Sequence, residues 1–139
     1  MVEKAIFDIL RSDPAIVAIV GDRIYLDFTR SSTMPYIVYG RAGTERITHL
    51  GGTAGLVMAR IEVTCIGTAY AVLVTLATEI REALAAYQGT RKGVRIQNAT
   101  IEDEWSTAEQ AVAGGDFEVY RRTMDFRFTY EEEPIALHA

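Results

Sequence analysis

Along residues 117–130, Tyr120, Met124, Phe126, Phe128 and Tyr130 fall on one side of the chain. Arg121, Thr123, Asp125, Arg127 and Thr129 fall on the other. A period of two is the mark of a strand with one buried and one wetted face. Residues 93–105 read as a second strand, joined to the first through a loop at 107–116. The last third of the chain therefore predicts a long β-hairpin. Fourteen extended residues span about 45 Å at about 3.3 Å each, against about 5–6 residues for an ordinary strand. Such a hairpin exceeds what a small domain covers by itself, and it predicts a neighbour.

Upstream, Val2, Ile6, Ile9 and Leu10 form the apolar stripe of a helix over residues 2–11. Asp13 then reads as an N-cap with Pro14 at the first helical position, and Gly21 as the stop. Strands are expected at 23–28 and 36–39, the second entered through Met34-Pro35. Residues 43–55 read as a polar, glycine-rich loop. A third strand covers 56–66, with Val57, Ala59, Ile61, Val63 and Cys65 opposed to Arg60, Glu62 and Thr64. The clearest helical period runs over residues 70–87 through Tyr70, Leu73, Val74, Ala77, Ile80, Leu84 and Tyr87. Gly89 closes it, and residues 89–93 read as a basic turn. The order α-β-β-β-α-β-β predicts an α+β fold: an antiparallel-rich twisted sheet with helices on one face and the long hairpin at its end. Residues 1–139 form one domain, with 131–139 as a flexible tail.

Composition narrows the class without changing that outline. The 139 residues are 49% hydrophobic and 24% charged, ordinary values for a soluble globular protein. The longest uncharged stretch, residues 63–78, contains Gly67 and is shorter than the ~20 apolar residues of a membrane span. The N-terminus has no signal-peptide pattern. A formal charge of −5 argues against a protein that grips nucleic acid through its phosphates. Cys65 is the only cysteine, which excludes an internal disulfide or a CxxC motif, and it reads as a small core residue.

Candidate chemistry is sparse. On a regular strand Glu102 and Glu104 point one way and Asp103 the other, so the run does not converge as an acid–base pair would. It reads as a solvated strand end, and Glu131-Glu132-Glu133 as a solubilising tail. His49, His138 and Cys65 lack metal-ligand spacing. Trp105, Tyr36, Tyr39, Tyr120 and Tyr130 suit sheet packing. No catalytic, metal or cofactor site is expected.

Several segments together resemble the small tail-completion proteins of long-tailed phages and prophages, a group that includes tail terminators. They are Ser12-Asp13-Pro14-Ala15, Val20-Gly21-Asp22-Arg23-Ile24-Tyr25 and Met34-Pro35-Tyr36-Ile37-Val38-Tyr39, then residues 93–104 and 120–126. The resemblance runs from about Ile6 to Tyr130 and rests on their order and spacing. It implies a structural virion protein with no cofactor and no membrane partner. Copies would close a ring, usually six-fold, which caps the tail tube and meets the head connector or stopper. DNA would pass through its pore without specific binding, and an acidic lining such as residues 102–104 would suit that. The protein would reside in the virion tail and assemble in the bacterial host cytoplasm. The particle could be a phage, a prophage or a gene transfer agent. A head-side connector role and a small enzyme or ligand-binding domain, with a cleft beside residues 70–87, stay open as alternatives. Candidate assembly residues are Arg46, Thr48, His49 and Leu50 in the first loop. At the hairpin tip they are Trp105, Glu109, Gln110 and Phe117.

Overall fold

The computed structural model describes residues 2–29, 33–47, 55–110 and 118–132. Three helices, α1 (Val2–Ser12), α2 (Pro14–Val20) and α3 (Tyr70–Leu84), accompany six strands. These are β1 (Ile24–Leu26), β2 (Tyr36–Ile47), β3 (Gly55–Gly67), β4 (Gly89–Arg91), β5 (Val94–Gln110) and β6 (Glu118–Glu132). The expected element order holds, with β4 added.

Local chemistry sets the helix limits. Asp13 Oδ1 accepts from the backbone N–H groups of Ala15 at 2.9 Å and Ile16 at 3.3 Å, which satisfies donors otherwise orphaned at the start of α2. Gly21 ends α2 at φ +62, its N–H donating to Val17 O at 2.8 Å. Helix α3 stops earlier than the apolar period suggested. Ala85 leaves the helix, Ala86 turns to φ +61, and its N–H donates to Ala99 O on β5 at 2.6 Å. Tyr87 lies off the helix yet packs on the same core, which is why its position fitted the period.

The strands form one sheet in the order β1-β2-β3-β6-β5-β4; β1 is parallel to β2 and every other pair is antiparallel. Helices cover one face. Ile6 and Leu10 of α1 and Leu73, Leu76, Ile80 and Leu84 of α3 are fully buried with Ile37, Ile61, Val63, Met124, Phe126 and Phe128 of the sheet. Leu73, Leu76, Ala77, Ile80 and Leu84 fill the space between α3 and the sheet, where a ligand cleft was an alternative.

Three expectations about loops are corrected. β2 continues to Ile47, so residues 43–47 are strand, paired with β3 from Arg60 to Leu56 after an irregularity between Arg41 and Gly43. The basic turn contains β4, which pairs Gly89 with Ile96 and Arg91 with Val94. β5 reaches Gln110 and β6 reaches Glu132, so Thr107 to Gln110 and the first two residues of the expected tail are strand. Backbone pairing places these segments in the sheet, and period-two burial does not reveal such strands.

Two register shifts in β5, between Ile96 and Asn98 and between Ile101 and Asp103, break its alternation. They keep Ile96, Ala99 and Ile101 toward the helices and then turn Glu104 to that side. Glu102 goes to the other face, where it accepts from Thr100 Oγ1 at 2.9 Å and lies 3.7 Å from Arg127. Glu102 and Glu104 thus point to opposite faces, contrary to the regular-strand expectation.

Phe126 is fully buried, whereas its neighbour Arg127 is exposed. Phe126→Ala is expected to cost about 3–5 kcal/mol in urea unfolding, and Arg127→Ala less than about 0.5 kcal/mol.

Candidate assembly surface

The long C-terminal hairpin is largely supported from within the chain. β6 pairs with β3 from Glu132 opposite Gly55 to Tyr120 opposite Gly67, so only Glu118 and Val119, with Glu109 and Gln110 across from them, run past β3. The expectation of a hairpin too long for its domain is corrected by that match of strand lengths. β5 is less well supported. β4 flanks it at residues 94–96 and Ala86 binds Ala99, but from Thr100 onward no strand flanks its outer edge among the described residues.

An ion-pair network ties this arm to α3. Glu104 accepts from Arg81 Nη1 at 2.7 Å and from Arg122 Nε at 2.6 Å. Arg122 also donates to Ser106 Oγ at 2.9 Å and to the Tyr70 hydroxyl at 3.3 Å. Tyr70 in turn meets Tyr120 edge-on, with ring centroids 5.5 Å apart. Arg122 shares the buried face of β6 with Met124, and Glu104 compensates its charge there. Glu104 is consequently not a free acidic group for a pore lining; Glu102 and Asp103 are the exposed members of the run.

Residues 4–131 match the family described as tail completion protein gp17. The chain belongs to that family. No curated protein matches the tail completion chain. Among solved structures, a chain in the virion of a native gene transfer agent particle shares its fold, with a TM-score of 0.71 at 16% identity over 92% of each chain. The tail completion protein is therefore a structural component of a virion tail.

Within the tail completion protein the candidate residues do not gather at one point. Arg46 is exposed on β2, opposite Val57, while Trp105 is 39% exposed on β5, opposite Thr123. Thr123 faces Thr64 on β3, so the two levels are seven β3 residues apart, about 23 Å at about 3.3 Å per residue. They also face opposite sides of the sheet. Trp105 lies within the strand rather than at the hairpin tip. Glu109 and Gln110 are the last residues of β5, opposite Val119 and Glu118. Thr48, His49, Leu50 and Phe117 lie outside the described residues.

Among the described residues, no group of acidic, histidine and cysteine side chains is arranged to hold a metal ion, and no helix is long and apolar enough to cross a membrane. Cys65 is fully buried, and that burial pushes its thiol from an ordinary 9.0 up to about 12; the Arg122 charge opposes the shift. Burial, with the charges of Glu3 and Asp27, raises Tyr39 likewise from 10.0 to about 12.

Glu104→Gln is expected to lose about 1–2 kcal/mol of stability by urea unfolding, solvent screening the Arg81 half of the network. Cys65 is expected to resist iodoacetamide at pH 8 in the native protein and to react once urea unfolds it. Both neutral groups favour the folded state, so their contribution is complete below pH 9 and falls as pH rises toward 12. Cys65→Ala is expected to flatten the early part of that decline in melting temperature.

Proposed function

We propose that the tail completion protein works as a ring of identical copies that caps the finished tail tube, stops its growth and joins it to the head connector. The family match over residues 4–131 carries this reading. A ring interface is heterologous: each copy offers two different surfaces. Arg46 and Trp105, on opposite faces and ends of the sheet, fit that requirement better than a single patch would. The outer edge of β5 beyond Thr100 is a further asset, since unpaired backbone groups of an edge strand readily join a neighbouring chain. DNA passes through the pore, the major tail tube protein is the partner below, and assembly occurs in the host cytoplasm. The ring has no enzymatic step and takes no cofactor.

The test is the mass of the purified protein in solution, with electron micrographs of it alone and mixed with tail tubes. Rings seated on tube ends are expected. Replacing residues 111–117 by a short Gly-Ser turn is expected to preserve the melting temperature within a few degrees and to abolish ring formation on tubes. Protein that stays monomeric and leaves tube ends bare overturns the reading.

A further inference from the structure

The two edges of the sheet come together at α1. Leu26 on β1 and Lys92, in the turn between β4 and β5, belong to opposite ends of the strand order, yet both line one cavity of about 350 Å³. Glu3, Lys4 and Phe7 of α1 and Tyr39 of β2 complete its wall. Phe7, Leu26 and Tyr39 make the interior apolar, and Leu26 is left 40% exposed there. A concave apolar site of this size has room for side chains of a further segment.

The rim of the cavity is cationic. Lys4 and Lys92 are the only two lysines of the chain. Glu3 is taken by Arg41 and Asp8 by Arg91, each at 2.7 Å. Lys92 lies 3.9 Å from the other oxygen of Asp8, with its side chain 60% exposed. Lys4 makes no ion pair among the described residues. Such a site suits an apolar segment that carries carboxylates beside it.

Residues 133–139, which lie outside the described residues, have that composition. They read Glu133-Pro134-Ile135-Ala136-Leu137-His138-Ala139 and follow Glu131 and Glu132. Pro134 has no N–H for a further ladder bond, and Ile135 and Leu137, two apart, share one side of an extended chain. β6 ends at the same end of the sheet as Lys92: Glu131 is opposite Arg95, and Val94 opposite Arg91. Two strand spacings, about 10 Å, separate β6 from β4, whereas seven extended residues reach about 23 Å.

We propose that residues 133–139 seat Ile135 and Leu137 in this cavity of their own copy, with Glu133 beside Lys92. Attachment to β6 favours the segment over a free partner, because it holds a high effective concentration at the cavity. The contact lies within one copy and is independent of ring closure.

Nuclear Overhauser contacts in the ¹³C-methyl-labelled full chain test it. Contacts from the Ile135 and Leu137 methyls to the Phe7 and Tyr39 rings are expected. Ile135→Asp with Leu137→Asp is expected to shift the amides of Lys4, Phe7, Leu26 and Lys92. The amides of Thr64 and Thr123, whose hydroxyls meet on the far face, are expected to stay in place. Leu26→Asp, at an exposed position, is expected to keep the fold and to lose the methyl contacts. Absence of those contacts in the unaltered chain, their survival in Leu26→Asp, or amide shifts confined to other regions overturns the proposal. Contacts found only between labelled and unlabelled copies in a mixed sample assign the cavity to a second copy, and overturn it too.

Discussion

The antiparallel ladder between β3 and β6 is the constraint on which the other elements depend. Its pairs run without interruption from Gly55 opposite Glu132 to Gly67 opposite Tyr120. These two strands are the centre of the sheet, and they place Val57, Ala59, Ile61 and Val63 beside Tyr130, Phe128, Phe126 and Met124 on the covered face. Burial of that apolar block is the main driving force available to the chain. β2 is added to the free side of β3, β5 to the free side of β6, and α3 folds back from the end of β3 across the same face. A central ladder without bulges keeps the register, because a one-residue slip would turn the whole apolar set toward water.

Irregularity is confined to the strands outside that ladder. β2 shifts register after Arg41, and β5 shifts twice. Each shift re-aims charged side chains. In β5 the second brings Glu104 under α3, where two arginines meet it, and leaves Glu102 and Asp103 on the open face. The open face thus combines neutralised pairs, such as Arg60 with Asp125, with carboxylates that have no such partner, such as Asp27 and Glu62. A structural protein of a virion tail works through contacts with other chains, and uncompensated charge and an unpaired strand edge are the features of this domain suited to making them.

Much of this was legible in residue order. The apolar stripe of α1, the Asp13 cap with Pro14, the Gly21 stop and the alternation of β3 and β6 each appear as expected, since each is a local rule acting on a few adjacent residues. The family was legible for a related reason: it was carried by the spacing of those same elements, and the match over residues 4–131 bears it out. Less of the assembly surface was legible. Arg46 and Trp105 are exposed, but their separation on opposite ends and faces depends on pairing through β3.

The sequence by itself determined the fold class, the main helix and strand positions, the buried faces and the family, because hydrophobic period, caps and turn residues act over short range. Tertiary structure decided which polar segments are strands, where β5 changes register, and which face and which arginines Glu102 and Glu104 take. Those outcomes depend on partners distant in the chain. A strand held by backbone pairing, or a charge placed by a bulge, leaves no periodic trace in its own residues.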